Sequence, residues 1–400
     1  MPHPIHLAIA LERAGWHPAA WREPDAAPQD LWGIRPWAAQ LGALDRAGLA
    51  FATFEDALSL VGRGDDGQVR PGVVQGRLDA LLLASALAPL TQRIGLLPAV
   101  TTTHTEPFHV ATGIQTLDTV SRGRGGVRLV VGGSDAERAN FGRRPAGGAD
   151  LPASGRVEDA PALLAGFREA GEVADALGRL WDSWEDDAIV RDVARGKYVD
   201  ADRIHRIDFE GEFFSITGAS IVPRSPQGRP IISVLAHQSV PYRLAAEHAD
   251  IVFITPHDDA DATGILAELD GAATLGRRSP EPLRVFADLV VLIEDTPARA
   301  REAAARLDDL AGAPFRSDAA LVVGTPSEVA DAIRALAATG IDGVRLRPAR
   351  QPADVVAIAE RLAPLLRATR VTRDDDGTSL RSRLGLPRPV SRYTREKAAR

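Results

Sequence analysis

The strongest constraint this chain places on its own fold is a rhythm. Short apolar runs, rich in β-branched residues, alternate with longer stretches whose apolar residues recur at helical spacing. The runs fall at residues 5–11, 49–54, 93–100, 127–131, 230–235, 251–254, 284–293 and 343–346. A strand with solvent on one face alternates apolar and polar residues, whereas near-continuous runs are what strands buried on both faces require. The spacing between them predicts helices over 35–47, 77–90, 106–120, 240–249, 296–310, 326–338 and 353–366. Thr105 reads as an N-cap. Thr296-Pro297 and Thr325-Pro326 each read as a cap followed by proline at the first helical position. Eight such alternations favour an α/β fold closed into a (β/α)8 TIM barrel, with an open doubly wound sheet as the alternative.

One interval breaks the rhythm. An insertion over about 133–228, between the fourth and fifth strands, is far longer than one crossover needs. It holds a glycine-rich stretch (143–155), a helical run (161–184), an acidic patch (185–187) and a hairpin (206–217). An insertion at a barrel mouth either shapes a substrate site or makes an oligomer contact. The barrel domain is expected to span 1–370, with 371–400 an irregular tail on the barrel exterior or a partner subunit.

Composition narrows the chemistry. At 400 residues and 45% hydrophobic content the chain can bury a barrel-sized core as one domain. It has no cysteine, which removes disulfides, thiolate metal sites and thiol nucleophiles together. A formal charge of −7 gives no basic field for nucleic acid. No apolar run reaches membrane-spanning length and the N-terminus lacks a signal-peptide pattern, so a cytoplasmic protein is expected. The nine histidines show no HExxH or similar spacing, so no metal site is expected, and neither a GxSxG elbow nor a P-loop is present.

Three features fall where barrels place their sites, at the C-terminal ends of strands. Glu55-Asp56 follows the second run, and its carboxylates either bind a ligand edge or cap the next helix. Thr101, Thr102 and Thr103 follow the third, with hydroxyls suited to a polar ligand edge or an anion. His237, Gln238 and Ser239 leave the fifth run and open a helix, where free N–H groups and the dipole favour phosphate. Trp16, Trp21, Trp32 and Trp37 cluster in the first turn of the barrel, either lining an apolar cavity or packing its core. No residue is assigned a catalytic role.

Six motifs occur in order: TLDTVSRGRGG (116–126), ERANFG (137–142), LWDSWEDDAIVRD (180–192), HRIDFEGEFFSITG (205–218), PRSPQGRPII (223–232) and LRSRLGLPRP (380–389). With GWHPAAWREP (15–24), they resemble the nitrilotriacetate/dibenzothiophene-sulfone/long-chain-alkane monooxygenase branch of the bacterial luciferase-like family. The resemblance implies a luciferase-like barrel and a homodimer or homotetramer. It also implies a two-component monooxygenase: a separate NADH-dependent flavin reductase supplies reduced FMN, and one oxygen atom of O2 passes to a small organic substrate. Asp56, Thr101, Thr102 and Thr103 match the family's flavin positions, and His237 and Gln238 remain phosphate candidates.

Several positions depart from the family pattern. Glu55 replaces an alanine beside Asp56, and Arg128 replaces the asparagine of the fourth strand, whose tryptophan and Thr-Ser hydroxyls are also gone. Ala153 and Arg156-Val157 stand where a histidine and Arg-Tyr are expected, though Arg156 retains a charge able to pair with phosphate. These replacements keep two other readings open: a non-catalytic luciferase-like paralogue acting as a binding or partner subunit, and a deazaflavin-dependent oxidoreductase.

Overall fold

The computed structural model describes residues 4–60, 69–132, 134–142, 154–276, 281–372 and 377–394. His3, Ala153, most of the glycine-rich stretch and the acidic run 374–376 lie outside them. Eight parallel strands form the barrel: β1 (His6–Leu11), β2 (Phe51–Phe54), β3 (Gly95–Thr101), β4 (Gly126–Val130), β5 (Ile231–Leu235), β6 (Ile251–Ile254), β7 (Arg284–Ile293) and β8 (Gly343–Pro348). β8 returns to β1 through His6↔Gly343, and β6 joins β7 through Ile251↔Arg284, so no edge is left open. The closed barrel expected from the strand–helix rhythm is therefore what the chain forms, and the open sheet is not.

Besides β8, β7 is long enough to serve two further partners. Its first half pairs with β6, and Leu289–Ile293 pair with an extra strand, Ala320–Gly324, that the apolar runs did not disclose. The helices follow the spacing closely: α1 (Ile34–Arg46), α2 (Ala80–Leu87), α3 (Pro107–Val120), α6 (Ser239–His248), α8 (Pro297–Ala311) and α9 (Pro326–Ala338). After β8 the helix runs from α10 (Ala353–Ala357) through one π turn to α11 (Ala363–Ala368). Thr296 and Thr325 cap as expected, the latter in a full capping box with Glu328. Thr105 does not: Glu106 holds the cap position of α3 without a side-chain bond, because Pro107 at the first helical position sets the boundary. Three helices, α4 (Asp135–Phe141), α7 (Asp259–Gly276) and the short α12 (Leu380–Arg383), were not expected.

The insertion contributes α5 (Pro161–Asp182), whose Trp181 is fully buried and donates to the Ala111 carbonyl of α3 at 3.1 Å. Two small antiparallel pairs follow: Ile189–Asp192 with Lys197–Val199, and Phe209–Glu210 with Ser215–Ile216. The acidic patch is paired rather than open. Glu185 accepts from His205 at 2.7 Å, while Asp186 meets Arg388 and Asp187 meets Arg203.

Strand side chains alternate inward and outward, so every second residue enters the barrel. At the N-terminal end these are Ala8, Phe51, Leu97, Ile231, Phe253 and Phe286, a single apolar cluster. The tail completes it. Leu380, on the short helix α12 (Leu380–Arg383), and Leu384 and Leu386 beyond it pack into the same cluster. Arg381 clamps this plug to the barrel through Asp250 and Glu281, at 2.8 Å each.

Candidate functional site at the barrel mouth

Above the apolar layer the inward residues turn polar and charged. Asp288 of β7 is fully buried and receives both Arg345 and Arg347 of β8, themselves almost fully buried. Arg345 binds it through Nε at 2.6 Å and Nη2 at 2.5 Å, and reaches Thr53 at 3.2 Å. Its guanidinium lies 3.7 Å above the centroid of the Phe253 ring, so the ring carries its far face. Arg347 continues to Asp318 at 2.6 Å. The small residues Ala8, Ala10 and Ala99 on β1 and β3 leave room for these long side chains.

On the opposite wall, Arg128 of β4 pairs with Glu55 at the end of β2. The two positions that depart most from the family pattern are thus complementary to each other. Burial would push the Glu55 carboxyl up, but Arg128, Arg345, Arg77 and Arg347 outweigh it and hold the group below the ordinary carboxylate range. Asp288 is held low in the same way, burial being overcome by Arg345 and Arg347. Arg77 ties Glu12 (2.9 Å) to the Asp56 carbonyl (2.8 Å), closing the ring of charges along the β1–β2 rim. Gly15 makes this rim possible. Its φ is +120°, and a Cβ there would lie 2.3 Å from the Ala349 carbonyl. The loop can therefore lay Trp16 within 5.6 Å of the Arg347 guanidinium.

Most of the described residues singled out in the sequence have an internal partner here. Asp56 accepts from the Ala57 amide (2.7 Å) and from the Ala80 amide at the start of α2 (3.3 Å), while burial pushes its carboxyl up. Thr101 is the buried last residue of β3. Thr102 and Thr103 donate to the Val130 and Gly132 carbonyls, at 3.2 and 3.0 Å, stapling β3 to the exit of β4. His237 faces Thr255 at 2.8 Å and Asp318 at 3.8 Å. Burial pushes its imidazole below the ordinary value, against the pull of Asp318. Gln238 accepts from the Val157 amide (3.0 Å) and donates to the Gly155 carbonyl (2.6 Å). Arg156 is 3.8 Å from Glu158 and largely exposed. Of the four tryptophans, Trp32 and Trp37 line the small cavity beside Glu55, Trp16 covers Arg347, and Trp21 is tied to the Gly72 carbonyl at 2.9 Å.

Sequence reasoning did not single out Asp288, Arg345 or Arg347. The signal was present for Asp288 and Arg345, each a charged residue inside a run otherwise apolar enough to be buried on both faces; Arg347 falls one residue past the last run.

The cavities at the mouth are small. The one bounded by Glu12, Glu55, Arg77, Trp32 and Trp37 measures about 10 Å³. A second, of about 190 Å³, lies between Thr102–Pro107, Phe141, Glu169 and Phe213–Phe214. A groove of about 490 Å³ runs between α5 and α6 in the helical layer, away from the strand ends.

The family profile described as luciferase-like monooxygenase matches residues 20–343. Among curated proteins, N-acetyl-S-(2-succino)cysteine monooxygenase of Bacillus subtilis (strain 168) is 26% identical, with 98% of each chain covered. Nitrilotriacetate monooxygenase component A of Aminobacter aminovorans is 32% identical over 74% of this chain and 64% of its own length. Among solved structures, that of a long-chain alkane monooxygenase superposes with a TM-score of 0.83 at 22% identity, covering 96% of both chains.

Proposed function

The chain belongs to the luciferase-like monooxygenase family, and from that premise we propose that it works in the flavin-dependent oxygenation of a small organic molecule. In this reading reduced FMN comes from a separate NADH-dependent reductase, and one atom of O2 ends in the product. The observation that carries it is the family match over most of the barrel, joined to a relative named as a monooxygenase that aligns over 98% of both chains. The relatives are named for N-acetyl-S-(2-succino)cysteine and for nitrilotriacetate. Small organic acids bearing sulfur or nitrogen are therefore the first substrates to test.

As folded, the mouth does not fit a bound flavin. The space beside Glu55 is about 10 Å³ and that beside Thr102 and Thr103 about 190 Å³, against roughly 300–1,000 Å³ for ordinary ligand pockets. Arg128 and Glu55 neutralise each other, and the amide of Gln238 is engaged at both ends within the chain. No step is therefore traced through the cofactor. The same filling favours a second reading, in which this chain accompanies a flavin-bearing subunit of the same fold.

The test is turnover under 18O2. The purified chain is supplied with FMN, NADH and a flavin reductase, with N-acetyl-S-(2-succino)cysteine and nitrilotriacetate as substrates, and products are weighed by mass spectrometry. One 18O atom per product supports the proposal. Peroxide as the only oxygen product counts against it, and activity appearing only on mixing with a second luciferase-like chain favours the subunit reading.

A further inference from the structure

We infer that two carboxylates of this chain, Glu55 and Glu158, hold the places a flavin would claim at the mouth, so that the folded barrel excludes FMN until they are displaced. The inference rests on family membership alone, and not on whether the chain is itself the oxygenating subunit.

At the ring end, Glu55, just past the end of β2, and Arg128, in the middle of β4, meet side chain to side chain. Both side chains are mostly buried, and Arg345 and Arg347 add their charge to the field on Glu55. A planar ring could reach the ends of β2 and β4 only by breaking this pair. That would leave one buried guanidinium and one buried carboxylate without their counter-charges.

At the phosphate end, the free amides of α6 are where an anion would dock. An internal anion is already there. Glu158, on the short 3-10 turn Val157–Asp159, accepts a hydrogen bond from Ser239 Oγ at the first residue of α6. Arg156 and Arg243 add attraction for the same carboxylate. The neighbouring Gln238 fixes the turn by accepting from the Val157 amide and donating to Gly155. A phosphate brought to α6 would meet a carboxylate of its own sign, with the Ser239 hydroxyl and the Gln238 side-chain amide already engaged.

The two ends make separable expectations, because riboflavin carries the ring without the phosphate. FMN and riboflavin are titrated by calorimetry into the wild-type chain and into two variants, with FMN repeated anaerobically in its reduced form. The wild type is expected to show no saturation below about 100 μM with any of the three. Glu158→Ala is expected to tighten FMN at least about tenfold while leaving riboflavin unchanged. The double variant Glu55→Ala/Arg128→Asn is expected to tighten both by a similar factor. Saturation of the wild type below that concentration overturns the inference, and so does a failure of Glu158→Ala, at a surface position, to gain FMN affinity. If the double variant melts early, Glu55→Gln replaces it, and its failure to gain riboflavin affinity overturns the ring-end half. None of these outcomes depends on turnover, so the oxygenation proposal stands or falls separately.

Discussion

Asp288 lies between two guanidinium groups that would otherwise be buried without a counter-charge. Its geometry is bidentate toward Arg345 and shared with Arg347, the arrangement in which an ion pair best recovers the cost of leaving water. Asp288→Asn keeps the shape and removes the charge, leaving the cations uncompensated. We expect a loss of about 3–5 kcal/mol in urea unfolding at neutral pH. The pH dependence has a definite sign. Glu55 and Asp288 have folded values depressed below the unfolded ones. Their stabilisation is therefore complete above the unfolded carboxylate value of about 4 and is lost as pH falls through the folded values. Unfolding free energy measured from pH 7 to pH 3 should drop steeply below about pH 4. The Asp288→Asn variant should show a shallower fall, and a parallel fall in both proteins would contradict the account. Glu55 and Arg128 were legible in the sequence as departures from a pattern. Their pairing was not, because 73 residues separate them and only barrel closure brings β2 and β4 to one mouth.

At the scale of elements, what the sequence disclosed was what periodicity and capping encode locally. All eight barrel strands and most helices followed from runs of buried residues and from Thr-Pro boundaries. The helix α7 escaped because Gly264, Gly271 and several polar residues dilute its apolar face, leaving Ala262 and Leu269 among its few deeply buried positions. The extra strand Ala320–Gly324 escaped for another reason. It is only half buried, and it exists because β7 outruns its barrel partner β6. The α12 region shows an element whose role only the tertiary structure reveals. Leu384 follows this single turn and enters the apolar layer beneath the charged mouth. Leu384→Ala is expected to cost about 2–5 kcal/mol, because Phe51, Phe253 and Phe286 cannot close over the gap. Thermal and chemical unfolding measure it, and a change under about 0.5 kcal/mol, the range of ordinary surface substitutions, would show that the tail does not complete the core.

For the whole molecule, the barrel divides along its axis. One end is an apolar plug closed by the tail, and the other is a ring of arginines and carboxylates balanced against one another. Family membership explains the division of labour, since barrels of this architecture keep stability at one face and variable chemistry at the other. In this chain most of the described residues singled out at the variable face are engaged internally, from Asp56 on the Ala80 amide to Gln238 on the 155–157 turn. The central claim is that the chain's own charges fill the mouth. The most direct measurement is a crystal structure of the protein soaked with FMN at millimolar concentration. The account expects density for the Arg128 guanidinium on the Glu55 carboxylate and for Glu158 on Ser239, with no ring between the ends of β2 and β4. A flavin ring ordered between those strand ends, with Arg128 turned away from Glu55, would contradict it.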